Sequence, residues 1–255
     1  MIKNEHTSKR KVVSLNFDLI GYEKAIQEIV SQGKSRVPGY ACFANVHMTI
    51  EAYWDKIFAD QVNNSTFVFA DGVPLVKSLK LLYGVKQDRI AGMDVLPELI
   101  KIAYENHLKI FFFGTTPELL NRIRLRMLSE FPSVQIAGMI SPPFNTSLDD
   151  ESYVNAINSS DANLVFVALG CPKQEKWMAR NSCRINAFLL GVGGAFPVFA
   201  GTAKRAPVFM QKFALEWLYR LIQEPVRLFK RYLVTNLLFI FLVLKMKVKK
   251  SLLKE

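Results

Sequence analysis

The sequence predicts an α/β fold: a Rossmann-like parallel sheet with helices on both faces, followed by a basic helical C-terminal appendage. Three observations carry this expectation. Short apolar runs alternate with longer helical patterns along residues 1–200, the signature of repeated β-α-β units. Most of the short runs are apolar at every position, as in strands covered on both faces. The excess positive charge sits at one end: residues 201–255 carry 12 Lys/Arg against 3 Asp/Glu, while residues 1–200 carry 21 against 19.

In order, strands are expected at Val12 to Phe17, Ala41 to Val46, Thr66 to Ala70, Lys109 to Gly114, Val134 to Ile140, Leu164 to Leu169 and Ala187 to Val192. Helical patterns at Tyr22 to Ser31, Met48 to Ala59, Val73 to Tyr83, Val95 to Asn106, Pro117 to Phe131, Glu151 to Asn158 and Lys173 to Asn181 supply the crossovers. Strands stop and basic helices begin near Gly201, which divides the chain into an α/β domain, 1–200, and an appendage, 201–255. Open parallel sheets bind ligands beyond the carboxyl ends of their strands, so chemistry is expected there.

With 255 residues and half of them hydrophobic, the chain can bury a full core. The N-terminus, MIKNEHTSKRKVV, has basic residues but no apolar run of secretory type behind them, which points to a cytosolic protein. Cys42, Cys171 and Cys183 are odd in number and lack CxxC spacing, so neither a disulfide framework nor a structural zinc site is expected. The apolar run Tyr232 to Leu244 is 13 residues long. As a helix it reaches only about 20 Å, short of a hydrocarbon core of about 30 Å. Arg227, Lys230 and Arg231 precede it, and Lys245, Lys247, Lys249 and Lys250 follow. Basic ends suit a helix lying in the plane of anionic headgroups; the other reading is that the run packs on the protein itself.

Several strand ends carry reactive residues. Asp71 follows an apolar strand directly, and Gly72 permits a tight turn there. It is a general-base candidate or an ordinary Asp-Gly turn. Asn45 can hydrogen-bond a sugar, and His47 can cap or orient, although a lone His in an apolar stretch is more often structural. In Arg89-Ile90-Ala91-Gly92-Met93-Asp94, Asp94 most simply caps the following helix, while Arg89 offers a forked donor to phosphate. Around Gly170, Pro172 at a first helical position would leave backbone N–H groups aimed at an anion, with Lys173 adding charge and Gln174 and Glu175 able to bind hydroxyls. Gly191, Gly193 and Gly194 follow a buried strand and would let a nucleotide lie against the backbone, but they lack the GxGxxG spacing of a dinucleotide fold.

Together these residues resemble the WecB/TagA/CpsF glycosyltransferases, glycosyltransferase family 26. The resemblance runs from about Asn45 to Tyr232 through ADG (Ala70 to Gly72), RIAGMD, ALGCPKQEKW (Ala168 to Trp177), GVGGAF (Gly191 to Phe196), KRAP and LEWLYRLIQEPVR, the last two between Lys204 and Arg227. It implies a metal-independent, inverting transferase without a cofactor. Such an enzyme moves a sugar (N-acetylmannosamine, glucose or a related hexose) from a UDP-sugar to an undecaprenyl-diphosphate-linked saccharide at the inner face of the bacterial cell membrane. It further implies that Asp71 is the base, with Asn45 and Arg89 as catalytic residues alongside it, and that Gly72, Gly92, Gly170, Pro172, Lys173, Gln174, Glu175 and the glycine loop hold the donor. The basic tail, with Arg205, Arg220, Arg227 and Arg231, would close the site and meet the lipid diphosphate. Pro197 stands where the family often has Asp, and NVHMTIEA differs from the Asn/Thr-rich version of teichoic-acid enzymes, so the donor sugar stays open.

An inverting displacement needs one base for the acceptor hydroxyl, and a carboxylate of normal pKa is ionised at neutral pH. No DxD pair is present to hold a metal, so arginines and a helix N-terminus are expected to stabilise the departing UDP. Two other classes fit less well. Nucleic-acid binding would explain the basic tail but not the run LFIFLVL, and no nucleic-acid partner is expected. A nicotinamide-dependent oxidoreductase would want GxGxxG after the first strand and an acidic residue about twenty positions on, and both are missing. Oligomeric state is left open.

Overall fold

Six parallel strands form the central sheet of the computed structural model, which describes residues 8–143, 148, 151–213 and 215–252, without the side chains at 208, 212, 227, 230 and 231. The chain opens with β1 (Lys9–Val12) and β2 (Leu15–Asp18), then α1 (Tyr22–Ser35), β3 (Gly39–Ala44), α2 (Val46–Trp54), α3 (Lys56–Asn63), β4 (Phe67–Ala70) and α4 (Val73–Tyr83). It continues through α5 (Gly92–Glu105), β5 (Ile110–Gly114), α6 (Pro117–Glu130), β6 (Ile136–Ile140), α7 (Glu151–Ser159), β7 (Leu164–Ala168), α8 (Lys173–Asn181) and β8 (Phe188–Gly191). The last part holds α9 (Phe196–Phe199), α10 (Val208–Lys212), α11 (Glu216–Gln223) and α12 (Pro225–Leu252), with single 3-10 turns at Ser182–Arg184 and Gly193–Ala195. Strand order is β4-β3-β8-β7-β5-β6, all parallel.

Continuous apolar strands follow from burial on both faces. Along β3, Tyr40, Cys42 and Ala44 join one core while Ala41 and Phe43 join the other; along β4, Val68 and Ala70 part from Phe67 and Phe69 in the same way. The first core is closed by residues of α2, α3, α4, α7, α8 and α12, the second by residues of α1, α5, α6 and α9.

Two expected elements are corrected. Val12 to Phe17 is not a strand of the parallel sheet: it spans the turn of a hairpin in which β1 pairs antiparallel with β2, Val12 opposite Leu15. Val13 takes φ 58°, so the chain reverses where a run of β formers had suggested continuity. The hairpin flanks edge strand β4, and Asp18 Oδ2 accepts the Val68 N–H at 2.8 Å, satisfying part of that edge. Met48 to Ala59 is two helices rather than one. Asp55 is extended (φ −115°, ψ 102°), ends α2, and caps α3 by accepting from the Phe58 N–H.

In α12 one side of the apolar run packs inward on the protein and the other faces out. Leu228, Thr235, Phe239, Leu242 and Val243 are buried, the last three within the first core. Phe229, Leu233, Leu237, Ile240, Phe241 and Leu244 are exposed, with Leu237 at 62% and Phe241 at 61%. The basic end is not wholly free for headgroups, as had been expected. Lys247 and Lys250 donate to the Leu81 and Leu82 carbonyls at 3.0 and 2.9 Å, capping the C-terminus of α4, and the Lys250 ammonium lies 3.5 Å from the centre of the Tyr83 ring. No described helix is long and apolar enough to cross a membrane.

Candidate active site

Beyond the carboxyl ends of β3, β4 and β8 lies a cavity of about 280 Å³. Its floor is Asn45, Asp71, Gly72 and Gly194, its side is Arg89, Met93 and the segment Ala203 to Ala206, and α11 and α12 close it with Glu216, Trp217, Arg220, Leu228 and Tyr232. The sheet topology explains the floor. Strands β4, β3 and β8 are neighbours, so the residues following them emerge side by side.

Asp71 sits where β4 ends. Its N–H donates to the Ala44 carbonyl at 2.9 Å, fixing this exit against that of β3. Gly72 takes φ 134° and ψ 139°, open to glycine and strained for other residues, and α4 starts on the next residue with Pro74 in its first turn. The carboxylate is therefore held at the cavity floor, where it accepts from the Gly92 N–H. Burial raises it from an ordinary 3.8 to about 7; Arg89 and Arg220 pull it down, and Glu216 pushes it up. This corrects the expectation of a normal carboxylate pKa: at neutral pH Asp71 is poised between its two forms. Asn45 caps α2 by accepting from the Met48 N–H at 3.1 Å, and His47 lines the same wall with Nδ1 3.6 Å from Glu51.

Four charges form a ladder along one side. Arg89 Nη1 donates to both oxygens of Glu216 at 2.8 Å, and Nη2 donates to Asp94 Oδ2 at 3.0 Å. The other oxygen of Asp94 takes Arg205 Nη1 at 2.6 Å. Asp94 thus does not cap α5 as expected: the N-cap is Ala91, without a side-chain bond, and Asp94 in the first turn is spent on two guanidinium groups. Arg220, one turn beyond Glu216, acts on Asp71 but makes no salt bridge among the described residues; its Nη2 lies 4.0 Å from Met93 Sδ. A Cβ on Gly194 would come 3.4 Å from Arg220 Nη2, so Gly194 makes room for that guanidinium.

The structure thus brings Asn45, His47, Asp71, Gly72, Arg89, Gly194, Arg205 and Arg220 together, while Gly92, Gly170, Pro172, Lys173, Gln174, Glu175, Gly191 and Gly193 lie outside this lining. Gly92 reaches it only through its N–H to Asp71. Gly170 and Lys173 are exposed, and Pro172 is the N-cap of α8 rather than its first residue. Gln174 and Glu175 are buried. The Gln174 amide donates to Glu175 at 2.8 Å and accepts the Gly193 N–H at 3.2 Å. A Cβ on Gly191 or Gly193 would fall 2.6 or 2.7 Å from that amide, so the loop approaches a protein side chain at these two positions. Glu175 is fully buried, with no cation against it, and burial pushes its carboxyl up. The side chains of Arg227 and Arg231 lie outside the described residues; their backbone belongs to α12.

Sequence reasoning named Glu216, Trp217, Tyr219 and Gln223 only within the LEWLYRLIQEPVR motif and gave them no role, yet all four are in the cavity wall. The signal was present: Glu216, Tyr219, Arg220 and Gln223 fall on one face of a helix, opposite Leu218, Leu221 and Ile222. Among the described residues no group of three or more His, Cys, Asp or Glu side chains gathers as a metal site.

A parallel sheet whose strand ends hold a carboxylate poised near neutrality beneath a set of arginines has the makings of a transferase for an activated, anionic substrate. Comparison with known proteins gives the class. The chain matches the glycosyl transferase WecG/TagA/CpsF family over residues 10–252 and belongs to that family of glycosyltransferases. It is 27% identical to N-acetylglucosaminyldiphosphoundecaprenol N-acetyl-beta-D-mannosaminyltransferase from Staphylococcus aureus strain MW2, over 98% of each chain. The proteins of that name from strains NCTC 8325 / PS 47 and MRSA252 match at the same identity and coverage.

Proposed function

We propose that this protein transfers N-acetylmannosamine or a closely related hexose from a UDP-sugar to an undecaprenyl-diphosphate-linked saccharide, with inversion and without a metal. The observation that carries the reading is Asp71, held at the cavity floor among arginines with its pKa near 7. The acceptor hydroxyl attacks C1 of the donor sugar, its proton passes to Asp71, the bond from C1 to the phosphate oxygen breaks, and UDP departs with the electron pair. A base whose pKa matches the working pH combines a useful ionised fraction with a useful proton affinity. Arg220, Arg205 and Arg89 face the position where the diphosphate gains charge. The relatives' acceptor, a GlcNAc diphosphoundecaprenol by their name, supports the same class of acceptor here.

Residues 1–200 then serve as the catalytic domain, and residues 201–255 complete the site and dock on the inner face of the membrane. Phe209, Phe213, Ile222 and Val226, elsewhere in residues 201–255, are exposed as well. A row of large apolar side chains flanked by Lys245 and Lys249 suits a leaflet of anionic lipid. Besides its arginines the cavity wall holds Trp217, Leu228 and Tyr232, which suits an acceptor with a charged head and an isoprenoid tail.

The test is turnover. The protein is incubated with a panel of UDP-sugars, a short lipid-diphosphate GlcNAc acceptor and EDTA, and products are weighed by mass spectrometry. One added N-acetylhexosamine with EDTA present is expected; transfer that stops with EDTA, or no product with any UDP-sugar, overturns the proposal.

A further inference from the structure

The charge ladder has two members that the transfer reaction does not use, Asp94 and Glu216, and only Glu216 comes from the C-terminal helices. Glu216 sits on α11, which buries no residue fully and rests on its neighbours α10 and α12. Toward the sheet it reaches by side chains, Glu216 to Arg89 and Arg220 toward Met93 and Gly194. Both Glu216 oxygens take Arg89 Nη1 at 2.8 Å, while Nη2 is shared between Asp94 at 3.0 Å and Gln211 at 3.4 Å. The guanidinium that faces the cavity is therefore already committed to carboxylates, and a phosphate oxygen would seek the same donors.

We infer that Glu216 is a displaceable counter-ion, the carboxylate that a nucleotide diphosphate must exchange for itself on Arg89, so that donor binding and the seating of α11 compete for one guanidinium. This rests on the nucleotide-sugar reading above. The exchange is chemically conservative. Arg89 is ion-paired before and after, so no bare charge is left in a partly enclosed wall, and the held carboxylate excludes other anions of weaker affinity. It also ties occupancy of the donor site to the position of the helix that carries Arg220, a cation that acts on Asp71 and makes no salt bridge among the described residues. Glu216 acts through Arg89 and is a positioning residue, not a catalytic one.

The sign of one change in affinity separates this role from a purely structural one. UDP binding is measured by calorimetry at low salt on the full chain, its Glu216→Gln and Arg89→Ala variants, and the double variant. With the competitor neutralised, Glu216→Gln is expected to bind UDP about tenfold more tightly, the scale of one charge-assisted hydrogen bond. In the Arg89→Ala background the same substitution is expected to change affinity less than twofold, since the gain passes through Arg89. Glu216→Gln that melts with the parent yet binds UDP equally or more weakly overturns the inference. Should Glu216→Gln fail to fold, Glu216→Asp keeps the charge one methylene short of both contacts and is expected to tighten UDP by a smaller factor; weaker binding there overturns the inference too. Failure of the parent protein to bind UDP at all is a different result, and it sinks the donor reading itself.

Discussion

Asp71→Asn is expected to stabilise the protein while removing its activity, and the stabilisation is expected to depend on pH. In the unfolded chain Asp71 titrates near its ordinary 3.8, and in the native site near 7. Between those values the native state holds a proton that the unfolded state has lost, so this residue makes stability fall as pH rises. At about 1.36 kcal/mol per unit, the cost of the native carboxylate is roughly 2 kcal/mol at pH 5 and about 4 kcal/mol at pH 8. Asparagine has a similar shape and does not titrate. The advantage of the variant over the parent should therefore grow by about 2–3 kcal/mol between pH 5 and pH 8, a difference of roughly 5–10 °C in Tm for a chain of this size. Any fixed gain or loss from replacing the bond to the Gly92 N–H cancels in that comparison. Urea unfolding of both proteins at the two pH values is the assay. An advantage that is the same at pH 5 and pH 8, or that shrinks as pH rises, would refute the reasoning, because a carboxylate of normal pKa adds no such slope.

Other outcomes follow from the same geometry. Since Asp71 must be ionised to accept a proton, kcat/KM is expected to climb about tenfold per unit below pH 7 and to level off above it; a flat profile from pH 5 to 8 would remove it as the base. Leu237→Glu with Phe241→Glu, two exposed positions on α12, is expected to weaken co-sedimentation with anionic vesicles by on the order of a hundredfold at unchanged Tm, as two apolar side chains of about 1.5–3 kcal/mol each are withdrawn; undiminished sedimentation would rule out this face. Gly191→Ala would bring a Cβ to 2.6 Å from the Gln174 amide and 2.7 Å from Met178 Cε, and is expected to cost about 1–3 kcal/mol in urea unfolding; a neutral result would mean that the loop is not packed as described.

The reach of sequence reading is clearest at the strand ends. Continuous apolar runs such as IFFFG and LVFVA leave no choice but a strand covered on both faces, and the residue after such a strand must then emerge at the ligand-binding edge. Asp71 and Asn45 were legible for that reason. The glycine loop was harder. Glycines are required wherever something comes close to the backbone, and sequence does not say whether the visitor is a nucleotide or, as at Gly191 and Gly193, the amide of Gln174. The hairpin was missed because a Val at positive φ turns the chain without Gly, Asn or Asp to mark it. The break at Asp55 was missed because the helical periodicity of α2 and α3 is nearly continuous across a single extended residue.

The ladder from Glu216 to Arg205 was illegible for a different reason. Its members come from three segments, and Glu216 and Arg89 lie 127 residues apart. Each charge alone reads as a solvated surface group or a helix cap. Only the tertiary fold, which brings Glu216 of α11 to Arg89, shows that one guanidinium is shared between Glu216 and Asp94.

Hydrogen–deuterium exchange with and without UDP tests most directly where the chemistry is placed. Slower exchange is expected in the segments that line the cavity, at residues 70–76, 89–94, 203–206 and 216–224, with the outer strands β5 and β6 unchanged. Protection confined to other parts of the chain, with residues 70–76 and 216–224 exchanging as before, would contradict the site described here.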